Sequence, residues 1–66
     1  MFDRAKLKKH LERYGLSVSQ FARDIGVTES AVRQILTGVR QPSLTMAAQI
    51  AGLMECTIDD LVINED

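Results

Sequence analysis

The sequence is poor in the residues that build catalytic and redox sites: it has one cysteine, one histidine and no tryptophan in 66 residues. Cys56 has no partner for a disulfide within the chain, and free cysteines of this kind usually fill a core. No Ser-His-Asp set, metal-ligand cluster or glycine-rich phosphate loop is visible. The composition therefore argues against an enzyme, and it predicts no metal, cofactor or small-molecule ligand.

Long hydrophobic runs and linker sequence are also missing. No apolar run approaches the roughly 18 residues of a membrane span, and the first four residues lack the apolar core of a signal peptide. One proline and four glycines leave no low-complexity segment. We therefore expect one cytoplasmic domain over residues 1–66 with no membrane partner. A domain of this size buries only about 60% of its unfolded surface, so a second copy of the chain would add stability.

The net charge of −1 is low for a protein that binds nucleic acid, but the charges are segregated along the chain. Residues 1–41 hold all eight basic residues and carry +4, whereas residues 42–66 hold only acidic charges and carry −5. This asymmetry predicts a cationic side that faces an anionic partner, with an acidic opposite side that includes the tail 62–66. Accidental clustering on a solvated surface is the alternative.

Apolar residues recur at helical spacing along the chain, and no segment alternates apolar and polar residues long enough for a strand. The pattern predicts an all-α domain of five helices, at about 3–14, 18–25, 29–37, 44–53 and 58–61. Hydroxyl residues stand where they would cap the last four helices: Ser17, Thr28, Ser43 and Thr57. The apolar stripes to be buried are Leu7, Leu11 and Tyr14 in the first helix, Phe21, Ala22 and Ile25 in the second, Val32, Ile35 and Leu36 in the third, and Leu44, Ala47, Ala48, Ile50 and Ala51 in the fourth.

The stretch 17–38 places two short helices on either side of Gly26. The spacing of Ala22, Gly26, Val32 and Ile35 is what two helices need to cross closely through a tight turn. Such a unit is a helix-turn-helix, whose second helix commonly enters the DNA major groove. The residues therefore predict sequence-specific binding of double-stranded DNA.

The combined spacing resembles the Cro/C1-type (XRE) helix-turn-helix family, which includes phage repressors, Cro proteins, restriction-modification controllers and some antitoxins. The similarity spans about residues 5–61 and is carried by Gly15, Leu16, Ser17, Phe21, Ala22, Ile25, Gly26, Val27, Thr28, Val32, Ile35, Gly38, Pro42, Ser43 and Leu44. The resemblance implies a compact lambda-repressor-like fold of five helices. It also implies a transcriptional regulator of repressor or Cro type that reads DNA with its third helix.

The resemblance assigns base reading to the exposed face of the third helix. The candidates are Glu29, Ser30, Arg33 and Gln34. Arg33 has the donor fork that fits guanine, Gln34 fits adenine, and Glu29 accepts from cytosine. Ser30 and the methyl group of Ala31 are further expected contacts to a base edge or a thymine methyl.

Phosphate contacts are expected where helix N-termini present unpaired N–H groups, at Ser17 and Thr28. Arg40 and Gln41, in the loop after the third helix, are the other candidates. Contacts of this kind set the register of the protein on DNA and carry no sequence information.

The sequence departs from the family pattern in three ways. Val18 stands where many members carry a phosphate-binding glutamine, so that contact is lost or reduced to a backbone N–H. Leu11 and Leu36 stand where many members pair an arginine with a glutamate, which indicates an apolar contact in place of a buried ion pair. His10 replaces an often apolar residue, and we expect a partly exposed surface histidine rather than a ligand or pH switch.

One short helix reads only a few base pairs, so we expect a homodimer on a palindromic operator. Val62, Ile63 and Met54 are the interface candidates, while Ile58 and Leu61 are expected to close the monomer core. The competing interpretation is a protein-interaction module or toxin-binding antitoxin that binds DNA weakly or not at all. The net negative charge favours this alternative, and the basic first segment disfavours it.

Overall fold

A computed structural model describes residues 1–63 of the chain, so the end of the predicted acidic tail, residues 64–66, lies outside the described residues. The α-helices are α1 (Arg4–Tyr14), α2 (Val18–Ile25), α3 (Glu29–Thr37) and α4 (Leu44–Leu53). The predicted bounds of α2, α3 and α4 are confirmed. The first helix begins one residue later than predicted because Asp3 is its N-cap, with a carboxylate that accepts from the Lys6 N–H at 3.1 Å. None of these helices has the length and apolar character needed to cross a bilayer.

The predicted fifth helix is wrong, and residues 1–63 contain four α-helices rather than five. Asp59–Leu61 form only a single 3₁₀ turn. The expected pair between Thr57 and Asp60 does form, since the Thr57 N–H donates to the Asp60 carboxylate at 3.0 Å and the Asp60 N–H donates to Thr57 Oγ1 at 3.2 Å. No longer helix follows because Val62 is extended and pairs with Phe2 in an antiparallel bridge.

Side-chain caps define the starts of the helices that follow α1. Ser17 and Gln20 form a reciprocal capping box, with Ser17 Oγ accepting from the Gln20 N–H at 3.0 Å and Gln20 Oε1 accepting from the Ser17 N–H at 3.1 Å. Thr28 and Ser43 cap α3 and α4, and each hydroxyl accepts from the N–H three residues on at 3.1 Å. These bonds link residues three apart, which explains why the sequence predicts these starts well.

One apolar core lies between the helices. Its largest fully buried side chains are Phe21, Leu7, Ile35, Ile50, Leu61 and Val32. The inward faces predicted for α2 and for the first part of α3 are confirmed, and Leu61 closes the core as expected with Ile58 half-buried against it. Leu11 is buried and Leu36 packs half-buried against the same core, which agrees with an apolar pair in place of ions.

Three predicted core residues are exposed instead. Tyr14 is 59% exposed because it ends α1 and turns its ring toward His10, 4.8 Å between ring centroids, instead of toward the core. Leu44 is 75% exposed because it is the first residue of α4, beyond the helices that cover the rest of that face. Ala48 is exposed on the outer side of α4.

The N-terminal segment packs against the C-terminal segment. Phe2 is buried, although no periodic pattern marked it as a core residue. Around its bridge to Val62, the Asp3 N–H donates to the Leu61 carbonyl at 2.7 Å and the Ile63 N–H donates to the Met1 carbonyl at 2.7 Å. The two ends of the described chain are therefore held together beside the core.

Candidate nucleic-acid interface

Helices α2 and α3 form a helix-turn-helix unit around Gly26. This glycine has φ +74°, a conformation that costs a residue with a Cβ about 1–2 kcal/mol. The turn brings the buried side of α3, residues Val32 and Ile35, onto Phe21 and Ala22 of α2 in the shared core. The opposite side of α3 is left exposed to solvent.

The exposed side of α3 is a continuous polar stripe, which we call the α3 stripe. Its members are Glu29, Ser30, Arg33, Gln34 and Thr37. These positions are spaced i, i+1, i+4, i+5 and i+8, so they line one face of a helix. All four residues that the sequence nominates for base reading lie on this stripe, side by side.

The α3 stripe differs from the sequence expectation at two positions. Ala31 is buried with Val32, so the predicted contact between its methyl group and DNA is wrong. Thr37 lies on the stripe, and its hydroxyl donates to the Gln34 carbonyl at 3.2 Å. The signal for Thr37 was available, since it stands four residues after Arg33 on the same face.

An ion pair joins two members of the α3 stripe. Arg33 Nη2 lies 2.6 Å from Glu29 Oε1, and their side chains are 63% and 46% exposed. No other ion pair is present in the part of the chain that the structure describes. An exposed pair with this spacing stabilises a helix by only about 0.3–0.5 kcal/mol, so its main consequence is the orientation of the guanidinium group.

Two of the predicted phosphate contacts, Ser17 and Thr28, are helix caps. Their hydroxyls accept capping bonds from Gln20 and Ala31. The Ser17 hydroxyl also donates to Gln20 Oε1 at 3.2 Å, whereas the Thr28 hydroxyl keeps an O–H that can donate to phosphate. The backbone N–H groups at each helix start that the caps do not use also attract anions. Val18, next to the first cap, is half-buried against the core and offers no polar side chain there.

The loop after α3 carries the other two predicted phosphate contacts. The Arg40 side chain is exposed. The Arg40 backbone N–H donates to the Gln34 carbonyl at 3.1 Å, and this bond holds the loop against the end of α3. Gln41 Oε1 accepts from the Phe2 N–H at 3.0 Å. The N-terminal segment therefore fixes the Gln41 amide group, and a phosphate contact would come from its nitrogen.

Arg4 is a further cation at this end of α3. Its guanidinium group lies against Gly38, where a Cβ would stand 2.9 Å from Arg4 Cζ. Gly38 has φ +83° and ends α3, so its backbone conformation favours glycine, whereas the flexible Arg4 side chain could move aside for a Cβ. No motif or spacing in the sequence predicts that Arg4, near the N-terminus, lies beside the end of α3.

Comparison with known proteins agrees with this geometry, since residues 7–61 match the helix-turn-helix family. The chain belongs to the Cro/C1-type helix-turn-helix family. Members of this family are DNA-binding regulators. A relative from Archaeoglobus fulgidus, named as an uncharacterized HTH-type transcriptional regulator, is 29% identical over 63 residues, which cover 96% of this chain and 90% of the relative.

The interface candidates of this Cro/C1-type protein lie in different places. Val62 and Ile63 are 42% and 38% exposed, and Val62 lies with Met1 and Leu44 around an apolar groove of about 300 Å³. Met54 is half-buried at the end of α4 and lines a separate groove of about 360 Å³ beside α1. Ile63, the residue after the extended Val62, lines a different groove together with Arg4 and Gly38, so the three candidates border three separate grooves.

The single histidine and cysteine lie outside the α3 stripe. His10 is partly exposed, as predicted, with its ring centroid 4.8 Å from that of Tyr14 and 6.5 Å from that of Phe21. Cys56 is half-buried against the core. Burial raises the pKa of its thiol, and the nearby Asp60 carboxylate raises it further. A raised pKa lowers the thiolate fraction, as expected for a packing cysteine.

Proposed function

We propose that this Cro/C1-type protein binds operator DNA sequence-specifically with α3 in the major groove and represses transcription as a homodimer. The observation that carries the proposal is the α3 stripe, an uninterrupted polar face opposite Val32 and Ile35, which are each 1% exposed. A helix with one face fixed in the core presents the other in a defined orientation, as reading of base edges requires.

Glu29, Ser30, Arg33 and Gln34 are the candidates for base reading; direct base contacts are proposed for Ser30, Arg33 and Gln34, while Glu29 pairs with Arg33. Arg33 can donate to guanine O6 and N7, and Gln34 can bond adenine N6 and N7. Each good bidentate contact contributes about 1–3 kcal/mol of discrimination against a wrong base. Ser30 lies one turn before Arg33 and Gln34 on the α3 stripe, and its hydroxyl can donate to or accept from several base edges.

The phosphate contacts are proposed for the N-termini of α2 and α3, at Ser17 and Thr28, and for Arg40 and Gln41. Arg4, which lies against Gly38, adds a cation at the C-terminal end of α3, where the loop with Arg40 and Gln41 begins. Because such contacts release counterions from DNA, the affinity is expected to fall steeply as salt is raised.

A homodimer on a palindromic operator is proposed because one helix reads only a few base pairs. Its half-sites would lie about 34–36 Å apart, one turn of DNA. Val62 and Ile63 are the preferred interface residues, since both are large apolar side chains that remain exposed in the monomer. Repression follows if the bound dimer blocks the polymerase, and a cytoplasmic location is part of the same proposal.

The test is selection of binding sequences from a random DNA pool. Enrichment of a short palindrome, with affinity that falls steeply with salt, is the expected result. Arg33→Ala should reduce affinity for the enriched sequence, whereas Arg13→Ala, which removes the same charge from α1, should reduce it much less.

Equal losses in the two variants would contradict base reading by Arg33, and absence of any enrichment would contradict sequence-specific reading as a whole. It would favour the second candidate function, a protein-interaction or antitoxin-type domain, which the net charge of −1 also favours. A stable complex with a protein partner and no DNA binding would support that alternative.

A further inference from the structure

We infer that Glu29 is a positioning residue for Arg33, and that each operator half-site contains a guanine which Arg33 reads with the help of Glu29. The inference rests on the proposed function, because it specifies the DNA sequence that the same site prefers. The observation that supports the inference is the ion pair on the α3 stripe, in which 2.6 Å separate Arg33 Nη2 from Glu29 Oε1.

The geometry leaves Arg33 able to bind a base while Glu29 holds it. A guanidinium group has five N–H donors, and the bond to Glu29 uses one of them. Two parallel donors are enough for guanine O6 and N7. The carboxylate thus anchors one side of the guanidinium group and leaves donors for the base.

The benefit of this anchor is entropic. Arginine has a long, flexible side chain that loses rotamer freedom when it is ordered at an interface. Arg33 is 63% exposed and makes no other ion pair within residues 1–63, so without Glu29 its guanidinium group would have little to hold it. With Glu29, part of the ordering takes place before DNA arrives.

The place of Glu29 also needs a reason. A carboxylate on a DNA-facing surface is repelled by phosphates, and an exposed pair of this spacing adds little to helix stability. Neutralisation by Arg33 removes most of the repulsion. The alternative is that Glu29 accepts directly from a cytosine N4, and this alternative predicts an effect at a different base pair.

The experiment measures base preference at every position of the enriched half-site, for the wild type and four variants. The variants are Glu29→Gln, Arg33→Lys, the double variant, and Glu12→Gln as a control that removes the same charge from an exposed position on α1. Arg33→Lys keeps the charge and loses the donor fork. Circular dichroism shows which variants are folded.

We expect the wild type to prefer guanine at one base pair of the half-site by about 5- to 140-fold. Arg33→Lys should remove most of this preference, and Glu29→Gln should reduce it at the same base pair. The double variant should lose no more than Arg33→Lys alone, since both changes remove one coupled interaction. Glu12→Gln should leave the preference unchanged.

Three results would overturn the inference while the proposed function stands: Glu29→Gln changes the preference at a different base pair, the two losses add, or Glu29→Gln has no effect on a protein that still enriches a palindrome. If the wild type enriches no sequence, the proposed function fails and the inference fails with it. A loss of folding alone would not change the relative preference among bases in the folded fraction.

Discussion

Two glycines test how the turn between α2 and α3 is stabilised. Gly26 forms that turn with φ +74°, whereas Gly52 lies inside α4 (Leu44–Leu53) and has no positive φ. A Cβ built at either position meets no atom within 4 Å. Replacing each glycine by alanine therefore changes the backbone preference and leaves the packing unchanged.

The two substitutions should shift stability in opposite directions. Gly26→Ala should destabilise the domain by about 1–2 kcal/mol, the cost of the left-handed conformation for a residue with a Cβ. Gly52→Ala should stabilise it by about 0.5–1 kcal/mol, because alanine has less chain entropy to lose in a helix. A domain of this size is stable by only about 3–10 kcal/mol, so both effects are measurable.

The assay is thermal and urea unfolding followed by far-ultraviolet circular dichroism, at one protein concentration because a dimer would make Tm depend on it. For a domain of this size, Tm shifts by about 4–8 °C per kcal/mol. Gly26→Ala should lower Tm, and Gly52→Ala should raise it. A neutral or stabilising Gly26→Ala would show that the left-handed turn is not what requires glycine at this position.

Three further variants test other parts of the structure. Glu55 has φ +55°, and glycine would relieve the strain of this left-handed conformation but would lose more chain entropy on folding. The difference between these two effects predicts that Glu55→Gly raises stability by about 0.5–1 kcal/mol in the same unfolding assay. A destabilised variant would contradict this prediction. Hydrogen bonds from the Thr57 backbone N–H, and then from its hydroxyl, lower the pKa of Asp60 below its usual 3.8. The stabilisation that these hydrogen bonds give is therefore fully present above the unfolded-state pKa of 3.8. It is lost as the pH falls through the lower pKa that Asp60 has in the folded state. Asp60→Asn should flatten the acid limb of a stability–pH curve between about pH 5 and 2, and an unchanged limb would refute the assignment. Val62→Asp combined with Ile63→Asp should dissociate the proposed dimer in analytical ultracentrifugation and weaken binding to the proposed operator, while circular dichroism shows a folded domain. A double variant that stays dimeric at micromolar concentration would exclude this interface.

Much of the candidate site is readable from the sequence because it depends on short-range chemistry. The α3 stripe follows from helical spacing, and its start follows from the Thr28 cap. The Glu29–Arg33 pair also has a sequence signal, an acidic residue four positions before a basic one, although whether the side chains meet depends on their rotamers. Arg4 had no such signal, since it reaches Gly38 only through the packing of α1 against α3.

The sequence by itself determined four helices, the hydroxyl caps of the last three and the turn at Gly26, because each depends on bonds or conformations within about four residues of chain. Only the tertiary structure decided the places of Phe2 and Gln41. Phe2 is buried by a bridge to Val62, and Gln41 is fixed by a bond to a residue 39 positions away. The same long-range pairing ends the 3₁₀ turn Asp59–Leu61, since an extended Val62 cannot continue it into a longer helix. Local rules cannot report contacts of this kind, because their partners meet only once the helices have packed.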